Sequence, residues 1–166
     1  MTLYLAVPLL IVVGVVQATI VPHLTLWGVF ADLPVLIVAS WGLLQGARDG
    51  IVWGFVAGLV VDLLSGAPFG AGTFALMAAG FVSGLGEATV FRTHIALPLV
   101  AMFLATLIYN LVFMLILQIM GKPVAWFESL WRIVLPSAVL NTLLMPLVYG
   151  TLRLLHRRFV ITEMEF

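Results

Sequence analysis

Between residues 42 and 70, every fourth residue is a glycine or an aspartate. The series is Gly42, Gly46, Gly50, Gly54, Gly58, Asp62, Gly66 and Gly70. Residues spaced by four lie close to one face of a helix, so the part between residues 50 and 62 predicts a smooth surface that ends at one acid. In lipid, such a surface lets another helix backbone approach closely. We expect it to pack inside the protein, with a docking face for a partner's single span as the alternative. A side chain at Gly42, outside this helix, should be tolerated better than one at Gly58.

The composition places this surface in a membrane. Hydrophobic residues make up 64% of the 166 residues and charged residues 8%, whereas soluble domains carry about 25% charged residues. A chain of this length holds about five or six spans of roughly 20 residues, so we expect a single transmembrane domain in the lipid bilayer. Seven basic and seven acidic residues balance, which gives no indication of nucleic acid as a partner. The absence of cysteine excludes disulfides and thiolate metal sites.

Six apolar segments predict an all-α bundle of six transmembrane helices. The spans run approximately over residues 3–21, 33–45, 50–64, 69–86, 95–120 and 131–155. The second and third segments are shorter than the roughly 17 residues of a perpendicular span. They form either two short crossings or one re-entrant hairpin that turns at Arg48 and Asp49. Extension of each by a few residues would reach spanning length, which favours two crossings.

Six crossings place both termini on one side of the membrane, and the basic residues indicate which side. Five of them fall on the side of the termini: Arg48, Arg92, Arg153, Arg157 and Arg158. Two fall on the other side: Lys122 and Arg132. This bias predicts cytoplasmic termini, and the basic tail also suits anionic lipid. The tryptophans resemble an aromatic belt. The outer group would be Trp27, Trp126 and Trp131, while Trp41 and Trp53 beside the inner turn either belong to the belt or face lipid.

Asp62 is the acid at the end of the smooth surface. The turn after it contains Ser65, Pro68 and Gly70, which end the helix and permit a reversal of the chain. An acid left unpaired in hydrocarbon costs several kcal/mol, so Asp62 needs a polar partner. Three roles fit. It binds a proton, cation or polar ligand; it pairs with another protein; or it accepts hydrogen bonds from Ser65 and nearby backbone N–H groups and shapes the turn.

Asp32 and Pro34 predict the start of the second helix. An aspartate carboxylate can accept hydrogen bonds from the free N–H groups of a first turn, and proline fits that turn without strain. We therefore expect Asp32 to cap the helix rather than to take part in chemistry.

The last segment contains two prolines, Pro136 and Pro146, which predict a bent or broken helix. Asn141 lies between them, and Asn110 lies in the fifth segment. Amides in the middle of a span can form hydrogen bonds between helices, and we expect both to do so.

A catalytic site is hard to assemble from this sequence. Aspartyl chemistry needs two facing carboxylates, but only Asp62 lies within a span, and Asp32 lies at a helix start. Serine chemistry needs a base beside the nucleophile, yet His23, His94 and His156 fall at segment ends or in loops. No spacing of histidines and carboxylates is typical of a metal site. We expect no enzyme activity, no metal and no cofactor.

Two runs resemble the rod shape-determining protein MreD family. They are Asp32-Leu33-Pro34 and the stretch GFVAGLVVDLLSGAPFG at residues 54–70, and the resemblance extends over the whole chain. Members have about this length and hydropathy, a proline and an aspartate at the start of the second span, and a glycine-rich third span ending in an aspartate. Ala31 departs from the family pattern, which usually has proline there, and this weakens the match at Asp32 more than at Asp62.

The resemblance implies a non-enzymatic scaffold of the bacterial cell-wall elongation (rod) complex, located in the inner membrane. The implied partners are MreC, through it the peptidoglycan polymerase and transpeptidase pair, and indirectly the MreB cytoskeleton. It also implies a fold similar to the S-components of energy-coupling-factor transporters. The alternative is a small-molecule-binding transporter subunit of that kind, which would need convergent polar groups at an outer pocket. The residues expected to serve partner binding or structure are Asp62, Ser65, Gly54, Gly58, Asp32, Pro34, Pro68 and Gly70.

Overall fold

The computed structural model describes residues 2–20, 23, 28–86 and 96–162, and the regular structure in these ranges is almost entirely helical. Its helices are α1 (Thr2–Thr19), α2 (Leu33–Gln45), α3 (Ala47–Ser65), α4 (Ala71–Gly84), α5 (Ala96–Ile119), α6 (Trp126–Ser129) and α7 (Leu135–Thr162). A π-helical turn over Leu130–Val134 joins α6 to α7, so these elements form six helical rods. The prediction of an all-α fold is confirmed.

Among the described residues, two rods are long and apolar enough to cross a membrane. These are Ala96–Ile119 and Trp126–Leu154, and only 28% of each is buried inside the bundle. Most of their side chains are therefore half-buried or exposed, which is unlike the core helix of a soluble protein. The fold is that of a helical membrane protein.

The short second segment keeps its predicted bounds of Leu33–Gln45. Its 13 residues span about 20 Å, well below the roughly 30 Å of a bilayer core. The expected extension of this segment is therefore wrong. The third segment does extend, because α3 begins at Ala47 and ends at Ser65.

Helix α2 lies at the centre of the bundle. It contacts α1, α3, α4, α5 and α7, and nine of its residues are buried. Trp41 of α2 stacks on Trp53 of α3 with ring centroids 4.3 Å apart, and both are almost fully buried. They belong neither to a belt nor to a lipid-facing surface, so both interpretations of this pair are wrong. Apolar stacking inside the bundle fixes α2 against α3 instead.

The glycine surface of α3 packs against α4. A Cβ atom added at Gly50 would overlap the carbonyl group of Gly80, and one at Gly58 would overlap the backbone of Thr73. At Gly54 it would lie 2.5 Å from the carbonyl oxygen of Leu76. Backbone therefore meets backbone along this contact, as small residues allow in membranes. The prediction of internal packing is confirmed, and the surface is not open to a partner's span.

The remaining glycines of the series have other roles. Gly46, Gly66 and Gly70 have positive φ angles of 97°, 64° and 98°, so they form the turns before and after α3. Gly42 lies in α2, where an added Cβ would be 2.7 Å from the Ser83 hydroxyl oxygen. A side chain at Gly42 would thus also meet α4, but less closely than a Cβ at Gly58 meets the Thr73 backbone, so the better tolerance expected at Gly42 stays a prediction.

The irregularity of the last rod lies before Pro136 rather than between the prolines. The π-helical turn Leu130–Val134 ends there, and the N–H of Leu135 donates to the carbonyl oxygen of Leu130. Proline removes a backbone donor from the helix, and a π turn changes the hydrogen-bond pattern at such a site. Helix α7 continues through Pro146. The predicted distortion is confirmed at Pro136 only.

Candidate functional site at the buried helix starts

Two short helices, α2 and α4, begin inside the bundle. We call the end of the bundle that holds their first residues the far end, because both chain termini lie at the other end. The backbone N–H of Asp32 donates to Asn141 of α7. Along the last rod, Asn141 lies about 20 Å from the first residue of α6, so α2 begins well below that end of the rod. The first N–H groups of a helix have no partner within it, and lipid supplies none. Side chains from other helices must therefore bind them.

The carboxylate of Asp62 binds the start of α4. It accepts hydrogen bonds from the backbone N–H groups of Gly70 (2.9 Å), Gly72 (2.8 Å) and Thr73 (3.0 Å), and from the Thr73 hydroxyl (2.6 Å). Only 4% of Asp62 is exposed. The Ser65 hydroxyl is not among the donors; its oxygen instead accepts from the N–H of Ala67 at 3.3 Å.

This arrangement uses the acceptor capacity of Asp62 within the chain. Three of the four donors share Oδ2 and one binds Oδ1, so both oxygens are engaged and most of the four lone-pair sites are used. Negative charge is also favoured at a helix N-terminus, where the peptide dipoles of α4 point their positive end. Of the three roles open to Asp62, the geometry corresponds to the one in which backbone N–H groups of the turn bind it. The donors lie at α4 rather than at Ser65.

Asp32 occupies the predicted N-cap position of α2, with Pro34 in the first turn, but its side chain forms no capping hydrogen bond. The expectation that its carboxylate caps the helix is wrong. Two amides from other helices do this instead. The oxygen of Asn141 accepts from the N–H of Asp32 at 3.0 Å, and the oxygen of Gln17 accepts from the N–H of Leu33 at 3.0 Å. The Gln17 amide nitrogen also donates to the carbonyl oxygen of Ala31 at 3.2 Å.

Asn141 joins three helices. While its oxygen binds α2, its amide nitrogen donates to the hydroxyl oxygen of Thr106 in α5 at 3.3 Å. Asn141 and Thr106 are fully buried, so these bonds have no competition from water. Asn110 instead donates to the carbonyl oxygen of Thr106 within its own helix at 2.9 Å. The predicted interhelical bonds are present for Asn141 and not for Asn110.

The other predicted site residues lie close to these two starts. Pro68 is part of the α3–α4 turn, where its carbonyl oxygen accepts from the N–H of Ala71 at 3.1 Å. Gly54 and Gly58 lie on the α3 surface that packs against α4. Gln17 was not among the predicted residues, although a lone amide in an apolar segment is a signal for such a bond.

Several predicted features lie outside the described residues. These are Trp27, Arg92, His94 and the side chains of His156, Arg157 and Arg158. At the far end of α5, Gln118 accepts a hydrogen bond from the Trp126 ring nitrogen at 2.6 Å, and Trp131 is largely exposed. In the described part of the chain, no three His, Cys, Asp or Glu residues are grouped so that they could hold a metal ion.

Short helices held by polar side chains inside a bundle with two long apolar rods define a polytopic membrane protein. The sequence profile of the family described as rod shape-determining protein MreD matches residues 1–155. The chain belongs to this family of non-enzymatic morphogenetic proteins, and as such it is an integral protein of the inner membrane with a role in determining rod shape. No curated protein and no solved structure matches it.

Proposed function

We propose that this protein is a membrane scaffold of the rod complex that binds MreC directly. Through MreC it would join the peptidoglycan polymerase and transpeptidase pair, and indirectly the MreB cytoskeleton. The observation that carries the proposal is the match to the MreD family over residues 1–155. A role in rod shape needs a complex that joins the cell wall to the cytoskeleton, and a small bundle without a catalytic site fits an adaptor in it.

The internal bonds of the bundle support a scaffold. Asp62 and Asn141 bind backbone and side-chain groups of neighbouring helices, so the bundle is held without a partner. The glycine surface of α3 is covered by α4. A partner's single span would therefore contact outward-facing side chains, and the roles of Asp62, Gly54 and Gly58 that we propose are structural.

We further propose that both termini lie in the cytoplasm, so that the far end faces outward. The larger number of basic residues on the side of the termini supports this orientation. We also propose an arrangement like that of the transporter S-components. Helix α2 supports this comparison, because it is short and buried and begins inside the bundle. Such a helix leaves space between its first residue and the far end.

Co-purification tests the MreC contact. The full chain, tagged and co-expressed with MreC of the same bacterium, is extracted into nanodiscs and analysed by mass spectrometry. We expect MreC to be retained at a constant ratio, while a tagged membrane protein of similar size from outside the rod complex retains none. Rescue of rod shape in cells that lack the protein is the second readout. Direct binding would be contradicted if MreC is lost during extraction at every ratio of MreC to this protein while the same protein fully rescues rod shape in cells.

A further inference from the structure

A cavity of about 370 Å³ opens at the far end of the bundle, between α1, α2, α3 and α5. Asp32, Pro34 and Tyr109 line it together with Gln17, while Phe30 and Ser65 lie at its more exposed rim. Most of the other lining residues are apolar. Such a cavity, enclosed by apolar walls with few polar groups, is typical of a site for a small molecule.

The cavity holds one carboxyl group, that of Asp32. Among the described residues that line it, no other is acidic and none is Arg, Lys or His. The carboxylate forms no well-aligned capping hydrogen bond to α2, and its one backbone contact in the first turn is a weak one to the N–H of Val35. This is the opposite of Asp62, whose carboxylate is bound by donors of its own chain.

Two aromatic rings accompany the carboxylate. Tyr109 and Phe30 both line the cavity, and an ammonium group is attracted to the face of such rings as well as to a carboxylate. The Gln17 amide uses both of its ends on the backbone. The Ser65 hydroxyl accepts from Ala67. The groups left to select a ligand are thus the Asp32 carboxyl group, the Tyr109 phenol and apolar carbon, with the hydrogen of the Ser65 hydroxyl still free to donate at the rim.

We propose that this cavity binds an organic ammonium group, with the cation at Asp32 and its apolar part against the surrounding walls. The volume of about 370 Å³ leaves room for more than a bare ammonium. A soluble amine or the headgroup of an aminolipid carries this chemistry. The proposal does not depend on MreC binding.

Titration of the full chain in nanodiscs made of phosphatidylglycerol, which has no amine, tests the site. The probe is n-butylammonium, and n-butanol is its neutral analogue of similar shape. We expect the wild-type protein to bind the ammonium and not the alcohol in isothermal titration. Asp32→Asn should weaken binding by at least about tenfold, because a hydrogen bond to a charged group is lost.

Two further variants make the result specific. Tyr109→Phe keeps the ring but removes the hydroxyl, and it should weaken binding about threefold to tenfold; it also serves if Asp32→Asn does not fold. Glu128→Gln is the control, since Glu128 pairs with Arg132 at 3.1 Å on the exposed surface. It should leave the affinity unchanged.

A repeat in phosphatidylethanolamine nanodiscs separates the two sources. Weaker apparent binding of the probe there identifies the aminolipid headgroup as a competitor, and unchanged binding identifies a soluble amine; each outcome supports the site. Equal binding of n-butanol and n-butylammonium would overturn the proposal. Wild-type affinity in both folded variants, Asp32→Asn and Tyr109→Phe, would do so as well.

Discussion

Buried carboxylates and amides in lipid need hydrogen-bond partners, and here those partners are the first N–H groups of two short helices. Asp62 binds the start of α4, while Asn141 and Gln17 bind the start of α2. An unpaired backbone group in hydrocarbon costs several kcal/mol, so each bond removes a large penalty. The polar residues of the spans therefore determine where the short helices can begin.

Asn141→Leu tests this at the level of a residue. The substitution leaves the N–H of Asp32 without its acceptor and removes the donor to Thr106. We expect a loss of about 1–2 kcal/mol in the free energy of unfolding, measured by thermal or denaturant unfolding in nanodiscs. Asn110→Leu is the matched control, because Asn110 binds only its own helix. Equal stability of the two variants would contradict the capping role of Asn141.

The importance of Asp62 could be predicted from the sequence, but its donors could not. An acid within an apolar run must be paired, which is a local inference. The three N–H groups that bind it converge only after the turn at Gly66 and Gly70 has placed α4 beside α3. The caps of α2 were missed for a similar reason. Capping is usually sought within the first turn, whereas Asn141 is 109 residues away along the chain.

At the scale of elements, the closest contact is between α3 and α4. Both helices contribute small residues, with Gly50, Gly54 and Gly58 on one side and Gly72 and Gly80 on the other. The bounds of α2 and the smooth surface of α3 followed from the sequence pattern. The partner helix did not, although Gly72, Gly80 and Gly84 also lie at multiples of four. That spacing was the available signal that α4 would pack there.

Gly58→Leu tests this contact. Its side chain would meet the backbone of Thr73, which cannot move without separating the helices. Overpacking of a tight contact costs about 1–3 kcal/mol, so we expect a lower melting temperature in nanodiscs. Gly42→Leu should lower it less, because a Cβ there would first meet the Ser83 hydroxyl oxygen at 2.7 Å, which can move. Gly150→Leu is the control, since nothing lies within 4 Å of a Cβ added there. Equal melting temperatures for all three variants would exclude tight packing between α3 and α4.

At the scale of the whole molecule, the bundle combines short central helices with long outer rods. Nine residues of α2 are buried, whereas most side chains of α5 and of the last rod are half-buried or exposed. Length and hydropathy predict six apolar segments. They mark the 13 apolar residues of α2 but not that the helix fails to extend beyond them, because the position of its first residue depends on amides from α1 and α7. The cavity lies beside that start and is lined by Asp32 and Pro34.

The orientation of the whole bundle can be measured by cysteine labelling, since the chain contains no cysteine. Cytoplasmic termini require that a cysteine at position 48 resists a membrane-impermeant maleimide in intact cells and that one at position 122 reacts. Both positions are exposed in the structure, and labelling after permeabilisation controls for reactivity. Labelling of position 48 in intact cells would reverse the topology.

The central claim is that the buried polar residues build the scaffold and do not contact its partner. Its most direct test is the amount of MreC retained per folded molecule of the Asp62→Asn variant. The amide replaces one acceptor oxygen by a donor that faces the N–H groups of α4. We expect the melting temperature to fall, while the ratio of MreC to folded protein stays at the wild-type value. An unchanged melting temperature with loss of MreC would contradict the claim and place Asp62 in the interface.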